Sequence, residues 1–376
     1  MEKPLVIGFD AKRIVSNATG LGSYGRTLVT DLCAIPSLRL RLYAPNCGRD
    51  DLREQLPQSP SLTLVTPEPE LRGLRATLWR SHGIVNSLRR DGVRLYHGLS
   101  GELPIGISKA GIPSVLTIHD LIFLRHPEFY HWLDTKIYAW KFRQSIREAS
   151  HIVAISECTK RDIMELGGVE DSRISVIYQS CAPRFRKPTS SSREGLPARY
   201  ILSVGSIEAR KNILLAVRAL HYLPDDVSLV VVGRRTDYTD KVEAYVRGHR
   251  LEHRVRLLHG VSDEKLPALY AHAEAFVYPS IYEGFGIPII EAINQGLPVV
   301  GCTGSCLEEA GGPHSLYVSP DDAEGMAAAL QQMLIGSPER EARIKKSREY
   351  VRRFSGNDVA QRMADLYAEE VEVVDR

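Results

Sequence analysis

The sequence lacks any apolar run approaching the roughly 20 positions that a membrane-spanning helix requires. Any membrane contact is therefore expected to be peripheral. The opening run Leu5–Phe9 is too short for a signal peptide, and no small-residue cleavage site follows it. It reads as a buried first strand, with the cytoplasm as the expected compartment. Cysteine is sparse: Cys33, Cys47, Cys158, Cys181, Cys302 and Cys306 are scattered and form no CxxC. Cys302 and Cys306 are the one close pair, and neither a second pair nor a His cluster accompanies them, so reduced bystanders are expected. A net charge of +2 carries no signature of nucleic-acid binding. Repeats with a period of 20–50 residues are absent.

What is present is a soluble globular composition, 43% hydrophobic and 25% charged, over 376 residues. That length suits two domains. Short β-branched runs alternate with longer amphipathic segments. The first half offers 5–10, 38–44, 62–66, 95–98, 114–120, 151–156 and 174–178, and the second offers 201–206, 227–233, 255–260, 275–280, 298–303 and 316–318. Near-continuous apolar strands separated by helices predict α/β domains with parallel sheets covered on both faces. The prolines, serine run and charges of 184–199 mark a linker between domains 1–183 and 200–355, and 356–376 reads as a terminal helix.

Open parallel sheets bind ligands at the carboxyl ends of their strands, so the residues after each strand are the candidates. Gly20, Gly22 and Gly25 have formal GxGxxG spacing before a helix expected at about 23–34, but residues 11–19 separate them from the first strand. A ligand loop and a plain glycine turn fit equally well. His119 and Asp120 close another strand, as a sugar-facing histidine or as a loop His beside a capping Asp. Arg210 and Lys211 follow the first strand of the second half and suit an anion or a solvated pair, while Asn212 is a candidate N-cap. The richest segment, Pro279–Pro298, places Glu283, Gly284, Phe285 and Gly286 before a short helix at about 287–295, with Pro288 in its first turn and Gly296 after its end. Glu291 shares a face with Asn294 and Gln295, so a solvated stripe is an equal reading. Gly233, Arg234 and Val261 follow strands at positions from which backbone can meet a nucleobase.

Tyr282-Glu283-Gly-Phe-Gly-Ile-Pro-Ile-Ile-Glu291-Ala resembles the EX7E signature of family 4 glycosyltransferases. Gly-Leu-Gly-Ser23-Tyr-Gly-Arg, Thr-Ile-His119-Asp-Leu, Val-Ala-Ile-Ser156-Glu and Glu208-Ala-Arg-Lys211-Asn resemble further family segments, in order, across nearly the whole chain. The resemblance is closest to bacterial mannosyltransferases of surface-polysaccharide assembly. It implies the GT-B fold: two Rossmann-like domains facing across a cleft, with the C-terminal helix crossing back to the first. It also implies a retaining hexosyl transfer by front-face attack. No acidic DxD-type site stands at a strand end, so neither a metal nor another cofactor is expected. By the same resemblance Glu283 holds donor-sugar hydroxyls. The amides of Gly284, Phe285, Gly286 and Ile287 face sugar and diphosphate, and Glu291 bonds the ribose. Lys211, with Arg210, neutralises the leaving diphosphate, and His119 reaches the donor sugar. Gly20, Gly22, Ser23 and Ser156 lie on the acceptor side. Ser206 stands where many members carry Arg, which leaves the diphosphate to Arg210 or to Lys211 alone.

GDP-mannose is the expected donor, and the expected acceptor is a saccharide or lipid-linked. Competing readings are a UDP-sugar transferase, a nucleotide-sugar 2-epimerase, a non-catalytic nucleotide-sugar binder and, on the displaced GxGxxG alone, a dehydrogenase. Arg72, Arg75, Arg80, Arg89, Arg90 and Arg94 face Asp91 as sole acid in residues 71–97, and segment 132–147 mixes aromatics with cations. Both fit a basic surface on an anionic membrane or helices with a solvated basic face.

Overall fold

The computed structural model describes residues 4–186 and 195–376. The chain forms two compact units, one of residues 1–182 with 354–376 and one of residues 183–353. The first unit holds β1 (Leu5–Asp10), β2 (Leu38–Tyr43), β3 (Leu62–Val65), β4 (Leu95–Gly98), β5 (Ser114–Ile118), β6 (His151–Ala154) and β7 (Ile174–Val176). They pair in parallel in the order β3-β2-β1-β4-β5-β6-β7. The second holds β8 (Tyr200–Val204), β9 (Ser228–Val232), β10 (Val255–Leu258), β11 (Ala275–Tyr278), β12 (Val299–Cys302) and β13 (Leu316–Val318), also parallel, in the order β10-β9-β8-β11-β12-β13. Each strand falls within, or one residue from, an apolar run of the sequence. Helices cover both faces, which is why whole strands such as β5 are buried throughout and read as unbroken runs. The strand order reverses between β1 and β4 and between β8 and β11, and each reversal opens a crevice at the carboxyl edge.

The helix Gly356–Asp375 belongs to the first unit. Its Val359, Met363, Leu366 and Tyr367 join the core of Ile7, Phe9, Leu28 and Leu32. Arg362 donates to the Val176 carbonyl (2.6 Å), and Arg94 pairs with Asp375 (2.7 Å). The start of the expected linker lies instead in the second unit. Pro183–Phe185 forms a 3₁₀ turn, Phe185 is fully buried with its ring 5.6 Å from that of Tyr270, and its carbonyl accepts from Gln295 (3.2 Å). Residues 187–194 of that linker lie outside the described residues. Among the described residues no helix is long and apolar enough to cross a membrane.

The glycine segment differs most from expectation. Segment 11–19 contains a short helix, Lys12–Ser16, and the next helix starts at Gly20, not near 23, and runs to Leu32. The glycines therefore lie within a helix and not in a loop. A Cβ on Gly22 would sit 1.8 Å from the Asn17 carbonyl oxygen, and one on Gly25 would sit 2.6 Å from Ile14. These two positions carry glycine so that the helix can press against the Lys12–Ser16 segment. Tertiary packing thus overrides the poor helix propensity of glycine.

Gly22→Ala is expected to destabilise the protein by about 1–3 kcal/mol, because backbone must move to admit the methyl group. Gly20→Ala meets nothing within 4 Å and is expected to be neutral or stabilising by up to about 1 kcal/mol. Urea denaturation of the two variants checks the contrast. Equal effects would remove the packing explanation.

Candidate functional site

In the second unit the β8 and β11 loops flank the point where strand order reverses. The β8 loop carries Ser206, then the 3₁₀ turn Ala209–Lys211. The β11 loop carries Glu283 to Gly286, which precedes the helix Ile287–Asn294. The Arg210 carbonyl accepts from the Ile281 amide (2.9 Å), and Arg210 Nη1 donates to the Tyr282 carbonyl (2.6 Å). Charge closes the junction. Glu283, 9% exposed, has Oε2 2.9 Å from Arg210 and Oε1 2.5 Å from Lys211 Nζ. Lys211 directs its hydrogen bond to the Tyr278 hydroxyl (2.7 Å). Its Nζ also holds Oε1 as an ion pair, and Ser280 stands beside the same carboxylate.

Burial opposes ionisation of Glu283, but Lys211 and Arg210 outweigh it and hold the carboxyl at about 2. Burial likewise disfavours charge on Lys211, and Glu283 reverses this and raises its pKa. All three groups are thus charged at neutral pH. Glu291 is the opposite case: burial raises it to about 7, only partly offset by the Tyr270 hydroxyl that donates to Oε2 (2.9 Å). The two carboxylates of one signature therefore differ in ionisation, as suits different tasks.

Gly233 follows β9 against the β8 loop, and a Cβ there would sit 1.8 Å from the Gly205 carbonyl oxygen. The Arg234 carbonyl accepts from the Ile207 amide (3.1 Å) while its side chain is exposed. Val261 is partly exposed in the loop after β10. Three expectations change here. Asn212 occupies the N-cap position, but its side chain donates to the Pro320 carbonyl (2.8 Å) and caps nothing. Gln295 is buried while Glu291 and Asn294 are partly exposed, so the three do not form one solvated stripe. Cys306 directs its thiol to the carbonyls of Glu283 (3.0 Å) and Phe285 (2.8 Å), so it supports this loop and is no bystander.

In the first unit a pocket of about 290 Å³ opens at the carboxyl edge, lined among others by Arg13, Glu102, His119, Asp120, Tyr130 and Lys141. His119 Nε2 donates to the Leu99 carbonyl (2.8 Å), which can only accept. Nδ1 therefore accepts from Gln179 (2.9 Å). Burial lowers the ring to about 4, so it is neutral with both nitrogens engaged. A hydrogen bond to substrate requires one of these partners to be exchanged. Tyr24 packs edge-on at 4.7 Å and lies within 3.2 Å of Thr117, which meets His97 (2.7 Å), which meets Tyr367 of the C-terminal helix (2.6 Å).

Two acceptor-side expectations do not hold as drawn. Ser156 is fully buried and caps the helix Glu157–Gly167 by accepting from the Thr159 amide (2.9 Å). Gly22 abuts backbone at its Cβ position, whereas Gly20 and Ser23, in the first turn of the same helix, are not buried. Sequence reasoning missed Tyr278, Tyr270, Gln179 and Cys306. Only Tyr278, the last residue of β11, carried a signal, its place at a strand's carboxyl end.

Residues 187–350 match the family described as Glycosyl transferases group 1, and residues 22–180 match Glycosyltransferase Family 4. The O-antigen chain mannosyltransferase B of Escherichia coli is 32% identical over 73% of this chain and 74% of its own length. The chain is a family 4 glycosyltransferase. The O-antigen chain mannosyltransferase RfbU of Salmonella typhimurium is 29% identical over 68% of the transferase and 69% of its own length. The solved sucrose-phosphate synthase of Thermosynechococcus elongatus is 21% identical, with a TM-score of 0.76 over 98% of this chain and 99% of its own, and so shares the GT-B fold.

Glu291 gives the transferase a pH signature. Its carboxyl holds a proton up to about 7 when folded, against an ordinary 4.5. Between those values the folded state binds more protons, so this group lowers stability as pH rises. Glu291→Gln is expected to melt close to wild type at pH 5 and above it at pH 8. A melting offset independent of pH would show that Glu291 ionises as in water.

Proposed function

We propose that this transferase moves mannose from GDP-mannose, with retention and without a metal, onto a saccharide or lipid-linked acceptor in surface-polysaccharide assembly. The observation that carries hexosyl transfer is the buried Glu283 held between two cations in a strand-order crevice, where its carboxylate, with about four lone-pair sites, can also accept from a sugar hydroxyl. The mannosyltransferase relatives support mannose as the sugar. Lys211 and Arg210 would supply positive charge to the departing diphosphate, since glycosyl transfer develops an oxocarbenium-like sugar and a negative leaving group. The amides of Gly284, Phe285, Gly286 and Ile287 would add dipoles fixed before reaction. Glu291 would hold the ribose, with Gly233, Arg234 and Val261 beside the base and Ser206 beside the phosphates. His119 would turn from its present partners to the sugar, and the acceptor would enter near Gly20 and Ser23. A peripheral contact with anionic membrane would use Trp132, Leu133, Ile137 and Trp140, exposed on the helix Trp132–Glu148 together with Lys136.

Thermal shifts with GDP, UDP, ADP and their sugar conjugates test the donor. Binding to the folded state raises the melting temperature by mass action. Selective stabilisation by GDP and GDP-mannose is expected, and stabilisation by UDP conjugates alone would replace the donor. Lys211→Ala is expected to lower kcat about 10²- to 10³-fold at saturating donor, the usual loss for one pre-aimed electrostatic group. Undiminished kcat would refute its leaving-group role.

A further inference from the structure

On the other side of the Arg80–Glu102 pair from the His119 pocket lies a separate cleft of about 390 Å³. Lys12, Ser16, Asn46, Arg72, Thr77 and Arg80 line it, and no carboxylate does. Arg80 is neutralised from behind by buried Asp10 (2.6 Å) and by Glu102 (3.0 Å). Glu102 in turn binds Lys141 (2.9 Å). These contacts hold Arg80 in place and leave the cleft's net charge to Lys12 and Arg72, which make no ion pair among the described residues. Glu70, an acid near Arg72, accepts instead from the Cys47 amide (2.9 Å). Lys12 is disfavoured as a cation by burial and then by the charge of Arg80, more than Asp10 and Glu102 restore. An anion in the cleft would relieve that repulsion.

The wall of the cleft is amphipathic. The helix Gly73–Leu78 turns Gly73, Ala76 and Thr77 to the cavity. Leu74 and Leu78, one turn apart, are 74% and 56% exposed. Cations and hydroxyls in a concave site suit phosphate oxygens, and two exposed leucines on the same helix suit a hydrocarbon chain.

We propose that this cleft binds the phosphate or diphosphate ester of the acceptor, and that Leu74 and Leu78 receive the apolar chain the ester carries. The proposal rests on the reading of the first unit as the acceptor side. The test is isothermal titration of the full chain with farnesyl diphosphate and with inorganic pyrophosphate, each in saturating nucleoside diphosphate to fill the donor site. Farnesyl diphosphate is expected to bind under these conditions. Lys12→Ala/Arg72→Ala should weaken it about tenfold or more, as lost charge-assisted hydrogen bonds do. Leu74→Ser/Leu78→Ser should weaken farnesyl diphosphate and spare pyrophosphate, which identifies a lipid source. Equal affinity for both ligands in all forms except the Lys12/Arg72 variant keeps the phosphate site, but gives it a water-soluble ester and removes the leucine ledge. Heat that vanishes in saturating nucleotide, or that ignores the Lys12/Arg72 change, overturns the site. Melting with nucleotide alone is the separate control: if no nucleotide shifts any form, the donor reading fails while the cleft result stands or falls by itself.

Discussion

A carboxylate cannot be buried without compensating charge, and Glu283 meets that constraint by drawing two loops together. Its partners, Arg210 and Lys211, stand on the loop after β8, while Glu283 stands on the loop after β11. Removing either cation would leave charge stranded in low dielectric, a penalty far larger than a surface ion pair is worth. The same contacts that satisfy Glu283 therefore fix the backbone of Gly284 to Gly286 and the start of the helix after it. Cys306 supports that backbone from beneath. The electrostatic field a diphosphate sugar would meet is in place before the sugar arrives.

The first unit organises its crevice differently, with neutral hydrogen bonds. Tyr24, Thr117, His97 and Tyr367 form a buried chain that ends beside His119. Burial holds His97 near 3, so the chain carries no net charge. One crevice is stiffened by compensated ions and the other by polar groups that never ionise.

Strand positions were legible because parallel strands buried on both faces leave unbroken β-branched runs, and Gly296 and Pro298 punctuated the helix Ile287–Asn294 correctly. The helix Gly20–Leu32 was legible except for its first turn. Glycines there serve a contact with Asn17 and Ile14 that only the folded chain reveals. Ser156 looked available because a cap and a ligand hydroxyl share one residue type. The contrast between Glu283 and Glu291 was hidden as well: spacing makes them a pair, but their ionisation is set by Lys211, Arg210 and Tyr270, none of them within the signature. Sequence named the residues of this site more readily than their charge states.

The return of residues 354–376 to the first unit sets an order of assembly during synthesis. Strands β1 to β7 leave the ribosome early, yet the core of Ile7 and Phe9, which Ile14, Leu28 and Leu32 cover only in part, stays open until Tyr367 and its neighbours follow. At about 5–20 residues per second, the roughly 190 residues after Ala182 take on the order of 10–40 seconds to make. The second unit, contiguous in sequence, can close within that interval. The half of the molecule translated first is therefore completed last, when the C-terminal helix closes its core.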